Sequence, residues 1–224
     1  MLTEPDNTDA DPGNADVRID IVSDVVCPWC VIGYKQLEQA LAQTAMTADI
    51  HWHPFDLNPA VPPGGENLRE HLMAKYGISA ADSNAAREQL TAVGAGLGFA
   101  FNYTDDMQLY GTFRAHQLLH WAEGTGCQHA LKMALFDAFF TRHEDISDAA
   151  VLANIAERAG LDHSEALRVL EDQRFAGDVR KQQRFWIANG IQGVPAMIFN
   201  QTQLVTGARG TGNYVNLLRR SRPN

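Results

Sequence analysis

The sequence predicts a mixed α/β fold. A β-α-β flank at the front and a β-β-α flank at the end build one mixed sheet with helices on both faces, around a long all-helical insertion. Three observations predict it. Residues 17–23 alternate apolar and polar side chains with a period of two, and directly after them the period becomes helical. From residue 66 to about residue 189 the apolar side chains recur at helical spacing with no convincing strand. Strand character returns at residues 193–200 and again at 203–206, ahead of one last helix.

Taken in order, residues 1–16 carry Glu4, Asp6, Asp9, Asp11 and Asp16, no base and few large apolar side chains. They read as a disordered acidic tail, the opposite of the basic start of a signal peptide. In the first strand Val17, Ile19 and Ile21 alternate with Arg18, Asp20 and Val22. Cys30, Tyr34, Leu37 and Leu41 then form the stripe of a helix over about 28–45. Pro28 suits its first turn, where the missing N–H costs nothing. Residues 48–55 alternate again, and the right-handed crossover makes this second strand parallel to the first. Residues 57–65 hold Pro59, Pro62, Pro63, Gly64 and Gly65, a loop that leaves the first flank.

The helical stretch opens with Leu68, Leu72, Met73 and Tyr76, stopped by Gly77. Ser79 with Asp82 caps a helix over about 80–93. Helices over 109–122 and 128–140 pair around Gly124-Thr125-Gly126. Ser147 caps the next, over 149–159, ended by Gly160; Asp162 with Glu165 caps another, to about 170–172. Residues 175–189, ended by Gly190, complete the set. A turn at Asn200-Gln201-Thr202 joins the last two strands, and the final helix, 211–220, has Arg219, Arg220 and Arg222 at its negative end. Residues 17–62 and 190–224 therefore form one domain, into which 63–189 is inserted.

The 224 residues hold 18 Lys+Arg against 27 Asp+Glu, a net charge of −9, which argues against nucleic acid or an anionic membrane as main partner. The longest uncharged run, 185–208, contains Asn189, Gln192, Pro195, Asn200 and Gln203 and does not read as a membrane span. Three cysteines are too few for a secreted disulfide scaffold, so the pair Cys27 and Cys30 points to redox or metal chemistry, and the expected location is the cytoplasm.

The chemistry centres on Cys27-Pro28-Trp29-Cys30. Cys27 should sit at the helix tip and Cys30 one turn inside, with their Cα atoms roughly 5–6 Å apart, within disulfide range. The unpaired N–H groups and positive end of the helix favour a Cys27 thiolate, while Cys30, on the apolar stripe, is less accessible. One sulfur attacks a disulfide and the other resolves the mixed disulfide. Asp24 would raise the Cys27 pKa or accept a proton from Cys30; its plainer reading is a polar residue at a strand end. A zinc site would need two more ligands beyond the pair, and Pro28 suits redox better. His51 and His53 share a strand face, and His116 and His120 stand i, i+4 on a helix; both pairs read as core or surface histidines, for want of a completing ligand set. Gly94-Ala95-Gly96-Leu97-Gly98 follows a helix and reads as its end. Met133, Leu135, Phe136, Phe139 and Phe140 read as core, some of which could line a groove near Cys27.

Several stretches carry a resemblance. The β-α-β, β-β-α order with Cys27-Pro28-Trp29-Cys30 at the first helix and Val194-Pro195 before the third strand resembles the thioredoxin fold, and the long helical insertion resembles its DsbA-like class. Ser23-Asp24-Val25-Val26-Cys27-Pro28-Trp29-Cys30-Val31-Ile32-Gly33 is similar to the FrnE-like branch, related to the 2-hydroxychromene-2-carboxylate isomerases and kappa-class glutathione transferases. Lys75-Tyr76-Gly77, Ala115-His116, Asp145-Ile146-Ser147 and Gly193-Val194-Pro195 add weaker echoes. Gly111-Thr112 departs from the expected Asn-Thr, and Cys127 is single, so no second redox pair is implied.

The resemblance implies a protein-disulfide oxidoreductase. Cys27 would be its attacking thiolate and Cys30 its resolving thiol. A cis Val194–Pro195 bond would stand beside them, holding substrate through the Val194 carbonyl, with Pro28 and Trp29 shaping the surface. It implies no tightly bound cofactor, thiols and disulfides of proteins or small molecules as partners, glutathione as an optional co-substrate, and a homodimer through the helical block as one assembly. Because the relatives that act as isomerases or transferases carry Ser in place of the first cysteine, Cys27 favours thiol–disulfide exchange. A glutathione-dependent isomerase or transferase is the alternative, and a non-catalytic holder a third reading.

Overall fold

The computed structural model describes residues 15–221. The chain runs β1 (Val17–Ser23), α1 (Pro28–Thr44), β2 (Ala48–Pro54), β3 (Glu66–Asn67), α2 (Leu68–Tyr76), α3 (Ala80–Gly96), β4 (Gln108–Leu109), α4 (Phe113–Glu123), α5 (Gln128–Phe140), α6 (Ala149–Arg158), α7 (His163–Asp172), α8 (Ala176–Ala188), β5 (Ala196–Phe199), β6 (Gln203–Thr206) and α9 (Thr211–Ser221). This is the DsbA-like arrangement: a thioredoxin-type sheet with a long helical stretch between its halves.

The sheet has the order β2-β1-β5-β6. β1 pairs in parallel with β2, Val17 opposite Ala48, and antiparallel with β5, Ile19 opposite Phe199. Central β1 is covered on both faces, which is why Val22 is as buried as Ile21 and the alternation of the sequence is not one of core against solvent. Ile19, Ile21, Met197 and Phe199 face the main core with α1, α5 and α9; Val22, Ala196 and Ile198 face a smaller cluster closed by Trp186 of α8. β5 and β6 join through Asn200 and Gln201, both at positive φ, the backbone a tight hairpin turn demands.

Four expectations shift. Glu66–Asn67 and Gln108–Leu109 pair as a two-stranded ribbon inside the helical stretch. Because Gln108 and Leu109 are drawn into that ribbon, α4 starts at Phe113 rather than 109. The N-cap of α6 is Asp148, whose carboxylate accepts from Val151 N at 2.9 Å, while the Ser147 hydroxyl donates to Asp145 instead. Asp16, placed in the expected acidic tail, is tied to Thr47 by hydrogen bonds; residues 1–14 of that tail, and Arg222, lie outside the described residues. The Ser79–Asp82 capping box and the Asp162 cap are present.

Candidate active site

Strand β1 ends at Ser23 and the chain enters α1 through Asp24, Val25, Val26 and Cys27. Cys27 is the N-cap of α1, with extended backbone (φ −95, ψ 110), and no side chain caps the helix end. Pro28 opens the helix, Trp29 stands 45% exposed, and Cys30 is buried one turn in. The amide of Cys30 donates to Cys27 O at 3.1 Å, and both thiols are free.

From the opposite side comes the turn before β5. Val194–Pro195 is cis, and Cys27 Sγ donates to Val194 O at 3.6 Å. Gly33 of α1 permits this approach: a Cβ there would lie 3.1 Å from Pro195 Cγ and 3.3 Å from Met197 Cε. Sequence positions about 165 residues apart are thus brought together.

Behind the thiols lies a buried polar cluster. Asp24 directly follows the end of β1, as the plainer reading has it, and it is fully buried. Its carboxylate accepts from Val25 N at 2.7 Å and Leu57 N at 2.8 Å, and lies 3.3 Å from His116 Nε2. Burial works to raise its pKa, but the hydrogen bond and charge of His116, the Leu57 amide and the Lys132 charge outweigh it and hold the carboxyl below the usual range. Lys132 of α5 is buried as well, and burial brings its pKa down to about 8.

The expectation of a Cys27 thiolate set by the helix end is corrected. Burial and the neighbouring Cys30 and Asp24 push the Cys27 thiol well up. Against the penalty of burial, the neighbouring Cys27 and Ser23 side chains and the Lys132 charge draw Cys30 down. The surroundings thus set the two thiols apart, Cys27 raised and Cys30 lowered.

A groove of about 310 Å³ opens beside Cys27, and Cys30 takes no part in its lining. Its walls are mostly apolar, with Leu68, Leu72, Leu90, Tyr103 and Phe140 prominent, and Phe140 alone of the five-residue α5 group reaches it. Trp29, Tyr76 and Val194 border it; its charged residues are Lys75 and Arg87, with no carboxylate. Lys75 Nζ donates to Leu57 O at 2.9 Å and Asn58 Oδ1 at 2.7 Å, both neutral acceptors.

The DSBA-like thioredoxin domain family matches residues 18–219. The chain belongs to that family. A probable DsbA oxidoreductase from Streptomyces coelicolor shares 31% identity at a TM-score of 0.85, covering 92% of this chain and 89% of that one. An uncharacterized Bacillus subtilis protein, YwbO, is 26% identical over 196 residues, 87% of this chain and 92% of its own. The cytosolic disulfide reductase DsbM of Pseudomonas aeruginosa, with GSH, shares the fold at 18% identity and a TM-score of 0.58, over 92% of this chain and 95% of that one.

The other candidate groups disperse. His51 pairs with Asp49 at 2.8 Å and Glu123 at 3.4 Å; His53 lies 3.0 Å from Asp20 in the core. Among the described residues no three His, Cys, Asp or Glu side chains gather as ligands for an ion, and no helix is long and apolar enough to cross a membrane. Lys132 escaped the sequence reading, although a lone lysine between Leu131 and Met133 in a helix this apolar is the available signal.

Proposed function

We propose that this member of the DsbA-like family is a thiol–disulfide oxidoreductase of the FrnE-like branch, working in the cytoplasm on disulfides that enter the groove. One observation carries the reading: of the two thiols at an uncapped helix end, only Cys27 faces the groove and the Val194 carbonyl. A disulfide arriving there meets Cys27. Loss of the Cys27 proton leaves a thiolate that the free helix N–H groups stabilise. Cys27 attacks one sulfur and a mixed disulfide forms. Cys30 then attacks Cys27, closing the Cys27–Cys30 bond and releasing the second thiolate. The Val194 carbonyl would accept a backbone N–H of an extended substrate.

The test separates the two thiols. Cys27→Ser abolishes reduction of insulin or a model disulfide; Cys30→Ser still forms a mixed disulfide but cannot resolve it, so the adduct accumulates and is seen by mass spectrometry. A Cys27→Ser protein active at the parental rate refutes the assignment.

The groove's cationic rim also favours a second reading, a glutathione-dependent isomerase or transferase. Lys75, bonded only to neutral acceptors, suits a carboxylate of glutathione, and Arg87, whose Nη1 lies 3.3 Å from Asp105 Oδ1, adds positive charge to the groove. Saturable glutathione binding to Cys27→Ser together with turnover of an aromatic substrate would establish it.

A further inference from the structure

The groove beside Cys27 runs against the charge of the chain as a whole. The sequence carries a net charge of −9, yet the charged residues of the groove lining are two cations, Lys75 of α2 and Arg87 of α3. Both have donors to spare. Lys75 has three N–H donors and uses two, on Leu57 O and Asn58 Oδ1. Arg87 is 9% exposed, and its Nε and Nη2 are buried with no hydrogen-bond partner among the described residues. A guanidinium withdrawn from water with two nitrogens unmatched is costly until a partner arrives.

The bonds that Arg87 does make are easily exchanged. Its Nη1 donates to Thr104 O at 3.2 Å and to Asp105 Oδ1 at 3.3 Å, the second long for a charge-assisted bond. The Asp105 side chain is 80% exposed and also holds Arg69 Nη1 at 2.8 Å, so it keeps a partner if Arg87 turns away. Nε and Nη2 stand side by side on the guanidinium and can donate in parallel to both oxygens of one carboxylate. The rest of the lining shows what should carry that carboxylate. Leu68, Leu72, Leu90 and Phe140 take an apolar side chain. Arg87 and Tyr103 also line a second cleft of about 450 Å³, which continues over α3 past Asn84 and Thr91. Glu88 and Asp105 put negative charge there, so an anion is favoured on the Cys27 side of Arg87. Two adjoining clefts, with the Val194 carbonyl at one end, suit an extended polypeptide rather than a compact small molecule.

We propose that the groove selects polypeptide disulfides in which an Asp or Glu stands close to the cysteine beside an apolar residue, and that Arg87, with Lys75, reads this carboxylate. The proposal rests on the thiol–disulfide reading above. Arg87 takes no part in the exchange itself; it sets which disulfide is held against Cys27. On binding, the guanidinium gives up its long contact to Asp105, and its two unmatched nitrogens gain the carboxylate oxygens. Because the guanidinium is buried, salt screens this contact less than it screens a surface pair.

The experiment uses peptides that differ at one residue, Glu, Gln or Lys, two positions from a single cysteine. Each cysteine is capped as the mixed disulfide with neutral mercaptoethanol, and the second-order rate at which reduced protein consumes it is followed by chromatography. The Glu peptide should react about tenfold faster than its Gln twin, the worth of a charge-assisted hydrogen bond, and the Lys peptide slowest. In Arg87→Gln the Glu-to-Gln ratio should fall to near one, and in Lys75→Gln it should fall in part. Lys181→Gln removes the same charge from exposed α8, outside the groove, and should keep the ratio. A Glu peptide no faster than its twin overturns the proposal, as does a ratio that survives in both groove variants or falls equally in Lys181→Gln. The mixed disulfide of glutathione is run alongside. If its rate alone depends on Arg87 while the peptides show no preference, the occupant is glutathione and the peptide proposal is lost. A parent that consumes none of the disulfides refutes the thiol–disulfide reading instead. Arg87→Lys, which keeps the charge without the fork and should hold only part of the ratio, carries the test with Lys75→Gln if Arg87→Gln misfolds.

Discussion

Asp20 sits in the centre of the sheet, where an unpaired carboxylate would be costly. Its side chain is matched by the Arg18 guanidinium at 2.8 Å and by His53 Nε2 at 3.0 Å. Burial raises its pKa, but the hydrogen bonds and charges of His53 and Arg18 prevail and take it from 3.8 to about 2. A carboxyl depressed in the folded state stabilises the fold above its unfolded pKa and loses that contribution as pH falls through the folded one. The window is therefore pH 3.8 down to about 2. Asp20→Asn should cost about 2 kcal/mol at neutral pH, and the difference from the parent should shrink as pH falls through the window. Urea unfolding at a series of pH values measures it; a difference that does not change with pH means the carboxylate is not what the site holds.

Helix α3 shows how an element ends. Gly94-Ala95-Gly96-Leu97-Gly98 is helix termination, as its position after a helix predicts: α3 stops at Gly96, and Gly98 has φ +76. The two helical glycines differ in purpose. A Cβ at Gly94 would lie 2.4 Å from Phe101 Cδ2 and 2.8 Å from Phe99 O, whereas one at Gly96 meets nothing within 4 Å. Alanine gains up to about 1 kcal/mol of helix preference over glycine, but overpacking costs about 1–3 kcal/mol. Gly94→Ala should therefore lower the thermal midpoint, while Gly96→Ala should hold or raise it. Equal effects at the two positions would show that Phe101 moves aside freely and that Gly94 is not a packing requirement.

At the scale of the whole molecule, the helical stretch reaches under the sheet and supplies part of the site. How far this was legible follows from what a sequence displays. The strand-to-helix change at Cys27, the caps at Ser79 and Asp162, and the hairpin at Asn200 are local patterns with a period or a fixed spacing. The ribbon of Glu66–Asn67 and Gln108–Leu109 has two residues a strand, too few for a period, and its partners are set by tertiary packing. The proximity of Cys27 to Val194 rested on family likeness, because nothing in either segment alone encodes it. The cluster of Asp24, His116 and Lys132 draws one side chain each from the end of β1, α4 and α5, and only the assembled core defines it.

Lys132 gives that assembly a measurable signature. It is 1% exposed, and burial takes its pKa from 10.5 to about 8 against the attraction of Cys30, Asp24 and Cys27. Between those values the unfolded chain holds a proton that the folded chain has shed, so stability rises with pH across the window; below about 8 the folded state carries the full cost of the buried charge. The relief amounts to about 3 kcal/mol by the top of the window. Lys132→Met keeps the volume and removes the titration. Parent stability minus variant stability, from urea unfolding between pH 7.5 and 10.5, should therefore climb by about 3 kcal/mol, most of it above pH 8. A flat difference would mean that Lys132 stays hydrated and charged in the folded protein across the whole window.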